Sequence, residues 1–412
     1  MSIRHLSTPL KVTRSHGWNQ TEELPGCIMI LFWVFSDADL CIHPLVFMLA
    51  EILLLLAVAY SVMIIAFGVA VFTISYATTS TYRPTVSIVI AARNEEQNIR
   101  RCMDSIVRLS YPVELLEAIV VDDGSDDGTG EIVREYSKPF HHIRLLTATP
   151  GTNKLRGKTN AIAQGIEASH GDILLFTDAD CVVPVHWVEG TVKYYSDSSI
   201  GVVAGFTKLR AKNWFEAIQT IDWLVLFSVA AATVRLRYPV TAVGNNLSVR
   251  RDAYDRVGGY QTIPFSVTED YALFHAICRH AQYQARFPID IETLVESEPC
   301  KDAGDLFRQK TRWFTGGKNM DVRSLLIFTL PYCLNALLIG SVFFLPIQTT
   351  ILALALKVAV DLFLALASIS TFRQWSLLKH FPAFELYYIV YVLLFPLVVL
   401  AGKEVVWKER KL

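Results

Sequence analysis

The stretch Leu174–Asp180, LLFTDAD, runs apolar residues up to a threonine and then sets two aspartates one residue apart. Two carboxylates at the end of a buried strand are unfavourable, because like charges repel and desolvation strengthens the repulsion. A cation, or a ligand that carries one, resolves the conflict. LLFTDAD therefore reads as a strand whose carboxyl end faces a ligand, and its neighbours decide which fold it belongs to.

Around it, strands and helices alternate. Thr85–Ala91 (TVSIVIA) predicts a β-branched strand, followed by Arg93-Asn94-Glu95-Glu96 and a helix through Ile99, Met103, Ile106 and Val107. Leu116–Val121 predicts a second strand ending in DDGSDDGTG, then a helix over Glu131–Tyr136 and a strand over His142–Leu146. The loop GTNKLRGK leads to a helix over Thr159–Ala168 and to the strand Ile173–Phe176. This alternation predicts an α/β fold with a mostly parallel, doubly wound sheet. Such sheets bind ligands at the carboxyl ends of their strands. Three polar clusters fall there: Arg93 with Glu95, Asp122 with Asp123, and Asp178 with Asp180. Singly, each has an ordinary structural reading. DDGSDDGTG is rich in turn formers, Arg93 and Glu95 suit a surface pair, and the DAD carboxylates ahead of Pro184 suit a helix N-terminus. Their shared placement is what points to an active site. The absence of a GxxxxGK[ST] loop, and of GxGxxG after the first strand, counts against a P-loop NTPase and a dinucleotide oxidoreductase.

The 412 residues are 52% hydrophobic and only 19% charged, oily for a soluble chain of this length. A net charge of −1 provides no basic field for nucleic acid. The seven cysteines are scattered without CxxC spacing, which indicates neither a disulfide framework nor a zinc site. The oil is concentrated. Ile52–Phe72 carries no charge and matches the ~20 residues of a bilayer crossing. Three further candidates follow at about 324–345, 350–370 and 384–402, whereas 84–320 has the composition of a soluble domain. The expected organisation is an N-terminal extension over 1–43, a transmembrane helix within 44–76, a cytoplasmic catalytic domain over 84–320, about three helices over 324–402, and a basic tail over 403–412. The loop Thr371–Pro382, with Arg373, Lys379 and His380, favours the cytoplasm. The tail KEVVWKERKL is basic too and would then lie outside, so either the last segment does not cross fully or one span is misassigned. Lys357 and Asp361, four apart on one helix face, read as a neutralised pair or as a polar patch lining a path.

The ordered set ARNEE, DDGS, GKTNA, TDAD, TED (Thr268–Asp270) and QKTRW (Gln309–Trp313) resembles the family 2 glycosyltransferases of GT-A fold. The resemblance is to their membrane-embedded branch with D, DxD, TED and QxxRW motifs, which includes cellulose, chitin, hyaluronan and poly-N-acetylglucosamine synthases and ceramide glucosyltransferases. It covers about 84–320. It implies a GT-A nucleotide-sugar-binding domain flanked by transmembrane helices, in the cell membrane, and an inverting transfer from a nucleotide sugar, most simply a UDP-sugar.

The resemblance also assigns roles. Mg²⁺ or Mn²⁺, a hard cation bridging carboxylate and diphosphate oxygens, would be bound by Asp180, with Asp178 beside it and nearer the sugar or ribose. Ala91, Arg93 and Glu95 match nucleotide contacts on the first strand, and Asp123 with Asp122 the acidic contact to the base. Lys158 matches a basic residue near the diphosphate. Asp270, with Glu269 before it, matches the general base that deprotonates the acceptor hydroxyl. Arg312 would steady the diphosphate, Gln309 would orient that group from the same helix face, and Trp313 would offer a face to a sugar or else anchor at the membrane interface. Gly244 and Asn245 fall in the acceptor-side segment, where Gly244 would let backbone approach the sugar. His275 and His280 read as packing or surface residues.

The implied partners are a nucleotide-sugar donor, the membrane, and a lipid or a growing polysaccharide as acceptor. Four spans are few for a self-sufficient export channel, so a lipid acceptor, or a processive synthase with accessory subunits, is favoured. A non-enzymatic sugar-nucleotide sensor or transporter is the alternative of a different class. It is disfavoured by the retention of Asp180 and Asp270. A prenyl-phosphate sugar transferase is disfavoured by QKTRW.

Overall fold

A computed structural model describes residues 44–75, 81–151, 155–280, 283–316, 322–400, 406–407 and 410–411. The expected extension over 1–43, part of the GTNKLRGK loop and most of the basic tail lie outside the described residues. Residues Met48–Leu412 form one compact unit.

The chain enters through a long apolar helix, α1 (Pro44–Phe72). Strand β1 (Val86–Ala92), helix α2 (Ile99–Ile106), β2 (Leu116–Asp122), α3 (Thr129–Ser137), β3 (Ile143–Thr147), α4 (Gly157–Glu167) and β4 (Ile173–Phe176) then follow the alternation expected from the sequence. Next come α5 (Trp187–Val192), β5 (Ile200–Ala204), β6 (Thr207–Leu209) and a 22-residue helix, α6 (Trp214–Arg235). The Asn213 side chain caps α6 by accepting from the Glu216 amide at 3.0 Å. Strand β7 (Leu247–Arg250) and helices α7 (Arg251–Arg256), α8 (Gly259–Thr262) and α9 (Glu269–His280) lead to β8 (Gln284–Arg286), β9 (Val295–Ser297) and α10 (Ala303–Gly316). Three apolar helices follow: α11 (Val322–Phe344), α12 (Ile347–Thr371) and α13 (Phe381–Leu400).

Seven strands form the main sheet in the order β3-β2-β1-β4-β7-β5-β8, and β6 pairs β9 separately. The pairings from β3 to β4 are all parallel; β7 runs antiparallel to both β4 and β5. Apolar side chains cover both sheet faces, as parallel sheets require. Ile88, Ile90, Ile173 and Leu175 face the core built with α2 and α5. Val89, Leu174 and Phe176 face the opposite core, built with α4, α6 and α9 and with Ala365, Ile369, Phe381 and Phe384 of α12 and α13. The segments 84–320 and 324–402 therefore share one core.

Among the described residues, five stretches are long and apolar enough to cross a membrane: Pro44–Phe72, Trp214–Arg235, Ser324–Phe344, Ile347–Thr371 and Trp375–Leu394. Four match the expected spans. The extra one is α6, and 83% of its apolar window is buried by the rest of the protein. Lys357 is wholly buried, within 2.8 Å of Asp361 and paired with Glu385 of α13, while the Tyr60 hydroxyl of α1 donates to Asp361 at 2.5 Å. The pair expected from the sequence is thus part of a larger buried cluster.

Candidate active site

Register brings the three polar clusters to one edge of the sheet. Ala92 of β1 stands opposite Asp122 of β2, and β4 pairs with the other side of β1. The two loops beyond β1 and β2 then lock together. Arg93 Nη1 donates to the carbonyls of Asp123 and Gly124 at 2.5 and 3.0 Å, and the Asp123 amide donates to Ala92 at 2.9 Å. Asn94, at φ 51°, donates its amide to the Ser125 hydroxyl, and Asp122 accepts from the Ser125 amide and hydroxyl at 2.9 and 2.6 Å. Arg93 and Asp122 therefore brace the loop that carries the buried Asp123. Glu95 accepts from the Asn98 side chain at 2.8 Å, and Ala91 is half-buried on β1.

Lys158, in the first turn of α4, is the hub of the site. Its Nζ lies 2.7 Å from Asp178 Oδ1 and 3.0 Å from Glu269 Oε1. Burial alone would lower the ammonium pKa, but Asp178, Glu269 and Asp270 outweigh it and hold the charge. One cation thus ties the TDAD strand end to the TED helix start, a link of 91 residues in sequence from Asp178 to Glu269 that spacing could not reveal. Asp270 Oδ2 accepts from the Gly244 amide at 2.6 Å and Oδ1 from the Tyr271 amide at 2.7 Å. A Cβ on Gly244 would stand 3.0 Å from the Asp270 Cβ and 3.2 Å from its Oδ2. Gly244 thus lies close against Asp270. Desolvation, then the Glu269 charge, raises the Asp270 carboxyl to about 6, with Lys158 and the two amides pulling the other way.

Asp180 has loose partners: the Cys181 thiol at 3.5 Å and the Ser297 hydroxyl at 3.4 Å. Desolvation, then the Asp178 and Glu95 charges, pushes its carboxyl to about 7. Ser297 is a contact the sequence did not suggest, because β9 reaches Asp180 only through the pairing of β9 with β6 and a bridge from Val182 to Glu296.

Lys158, Asp178, Gly244, Glu269 and Asp270 line one cleft, and Arg156, Lys158, Ser266, Glu269 and Arg312 its continuation. Arg312 reaches it from α10, where Gln309 lies one turn earlier with its buried side-chain oxygen lacking a hydrogen-bond partner among the described residues. A Cβ on Gly316, at the end of α10, would fall 2.1 Å from the Thr268 hydroxyl, so α10 abuts the loop that opens the TED helix. Trp313 is half-buried against Trp223, with ring centroids 5.6 Å apart. Asn245 is 2% exposed and accepts from the Thr207 hydroxyl of β6 at 3.0 Å, so its side-chain oxygen is engaged inside the protein. Its neighbour Asn246 is likewise engaged, bonding Phe206, Thr293 and Trp187. His275 packs as expected, with Nε2 2.7 Å from the Val240 carbonyl oxygen, whereas the His280 side chain lies outside the described residues.

A family model described as glycosyl transferase family 2 matches residues 87–269. The chain carries a family 2 glycosyl transferase domain. Similar curated proteins agree. The probable glycosyltransferase YdaM of Bacillus subtilis is 31% identical over 257 residues, 60% of this chain and 58% of that protein. The poly-beta-1,6-N-acetyl-D-glucosamine synthase of Staphylococcus epidermidis is 26% identical over 247 residues, 58% of this chain and 56% of that protein. The beta-monoglucosyldiacylglycerol synthase of Synechocystis is 27% identical over 240 residues, 57% of this chain and 48% of that protein. The matched region thus spans about half the length of these relatives. Among solved structures, the mannosyltransferase of Pyrobaculum calidifontis, in complex with GDP-Man and Mn2+, superposes with a TM-score of 0.57 at 20% identity, covering 82% of this chain and 98% of that one. The fold of the glycosyl transferase domain is accordingly GT-A, with its mostly parallel sheet and apolar helices on either side in sequence.

Proposed function

We propose that the chain is a membrane-bound, inverting glycosyltransferase that moves a sugar from a nucleotide-sugar donor, a UDP-sugar, to a hydroxyl of a lipid acceptor. The observation that carries the reading is the Lys158 hub, which holds the TDAD and TED carboxylates around one cleft at the carboxyl ends of the strands. The relatives' names include both a glycolipid and a polysaccharide synthase, and the apolar helices suit a catalytic domain kept at a membrane face.

Asp270 is the base. Its Oδ2 is held by Gly244, and its raised pKa places it nearer that of a useful proton acceptor at neutral pH. The acceptor hydroxyl loses its proton to Asp270 as its oxygen forms the bond to the anomeric carbon. The bond to the diphosphate breaks on the opposite face in the same displacement, inverting the centre. Lys158 and Arg312, which line the same part of the cleft, compensate the departing diphosphate. Ala91, Arg93, Glu95 and Asp123 frame the nucleotide end; Gln309 orients Arg312, and Trp313 faces the acceptor side.

A divalent cation suits this chain. Two aspartates one residue apart would offer it hard oxygen donors. Asp180, pushed toward neutrality with only loose partners, is the carboxylate a cation would restore to its charged form. Mg²⁺ or Mn²⁺ held by Asp180 with Asp178 would supply charge compensation for the leaving diphosphate. The solved mannosyltransferase that shares the fold was captured with Mn2+.

The test is product analysis. Membranes containing the chain are incubated with Mn²⁺ and each common radiolabelled UDP-sugar, and lipid-extractable label is separated from polymer. Label in the lipid fraction, absent with Asp270→Asn, is the expected result. Label in long polymer would replace the lipid acceptor by a growing polysaccharide, and no label from any donor would remove the enzymatic reading.

A further inference from the structure

Lys310, the second residue of QKTRW, is 1% exposed. A buried ammonium requires a partner charge, and Lys310 pairs directly with Asp222 of α6, itself buried. The same Nζ lies 4.5 Å from the ring centroid of Trp313 and 4.6 Å from that of Tyr391 on α13. Both are within the ~6 Å reach of a cation–π contact. Tyr391 is stacked on Tyr387 at 5.6 Å and 7°, and the Tyr387 hydroxyl lies 3.5 Å from Asp222 Oδ2. The Trp313 ring therefore has two anchors, Lys310 and Trp223, and the residue that fixes Lys310 immediately precedes Trp223 on α6.

A buried ion pair by itself signals only scaffolding. Here the pair sits inside the segment that supplies Arg312 to the cleft and carries Trp313 next to it. The same helix ends at Gly316 against Thr268, directly before Glu269 and Asp270. A change in how Lys310 seats would shift the Trp313 ring that it holds. We infer that Lys310 is a positioning residue: clamped by Asp222, its ammonium sets the Trp313 ring for the transfer step, without touching substrate. This rests on the reading that Trp313 serves the acceptor.

The test replaces the pair by apolar side chains, since buried ion pairs exchanged for apolar groups of similar volume often leave stability intact. The full-length chain carrying K310M/D222L is compared with wild type in three measurements: thermal unfolding in detergent, calorimetric binding of UDP with Mn²⁺, and transfer from radiolabelled UDP-sugars at saturating donor. The inference predicts unchanged unfolding and UDP affinity within about twofold, with transfer slowed about tenfold or more, the scale at which misplaced groups act. An unaltered transfer rate overturns it. So does a parallel loss of UDP affinity and rate, which would make the pair a scaffold. If the double variant does not fold, Asp222→Asn, which keeps an oxygen for the ammonium, must slow transfer without weakening UDP binding, and an unchanged rate again overturns the inference. Wild type that neither binds UDP nor transfers sugar would instead defeat the reading of the site itself.

Discussion

The Gly244 amide donates to the Asp270 carboxylate at 2.6 Å, joining the loop before β7 to the first turn of the TED helix. That contact aims one carboxylate oxygen and leaves no room for a side chain. Gly244→Ala would press a methyl against the Asp270 Cβ at 3.0 Å and Oδ2 at 3.2 Å, where real contacts are rarely so tight. We expect transfer to slow by about tenfold to a hundredfold, with UDP binding and thermal unfolding nearly unchanged. Wild-type rates in G244A would dissociate this contact from catalysis.

Asp270→Asn removes the proton acceptor while keeping an oxygen for the Gly244 amide. Transfer should vanish and calorimetric binding of UDP with Mn²⁺ should persist. Equal loss of both would take the base role away from Asp270.

The base acts when deprotonated, and its pKa is raised to about 6 by desolvation and the Glu269 charge. The rate should therefore be full above that value and fall as pH drops through it. Lys158 holds this pKa down, so Lys158→Met should move the acid limb to higher pH. It should also weaken UDP binding through loss of the charge facing the diphosphate. An acid limb unmoved in K158M would rule out the electrostatic link.

Removal of divalent metal should abolish transfer in wild type. In Asp180→Ala, UDP binding should lose most of its dependence on added Mn²⁺ when titrated with and without EDTA. A metal dependence unaltered in D180A would place the cation elsewhere.

Lys357 is wholly buried between Asp361 and Glu385. Lys357→Met leaves two carboxylates without their cation, a change that costs about 3–5 kcal/mol where a buried pair is broken. The full-length variant in detergent should unfold at clearly lower temperature. Combining it with Asp361→Leu and Glu385→Leu should recover much of the loss, and equal stability of the single variant and wild type would refute the argument.

The first half of the fold was legible because local pattern and tertiary position agree there. LLF in LLFTDAD marks β4, and the loops after β1, β2 and β4 carry the polar residues that parallel pairing brings together. The order of motifs led to the family. Legibility fails where partners are distant or where one pattern serves two environments. Ser297 reaches Asp180 across 117 residues, and Lys310 reaches Asp222 across 88. The short strands β5 to β9 offered too little periodicity, and the antiparallel insertion of β7 between β4 and β5 has no local mark. Nothing local in the sequence marks Asn245 as the acceptor for the Thr207 hydroxyl of β6, 38 residues earlier. Helix α6 has a span's composition, yet protein surrounds most of it.

That enclosure has a consequence for how the chain is made. Much of the cover on α6 comes from α12 and α13, which leave the ribosome more than a hundred residues later. Until they arrive, Trp214–Arg235 is an oily segment without its neighbours, competing for entry into the bilayer. The catalytic half must therefore wait, with its motifs already synthesised, for the last helices to be delivered. An expression fragment that stops near residue 320 should be recovered as an aggregate or as a lipid-bound species, because the shortened polypeptide ends before its own covering exists.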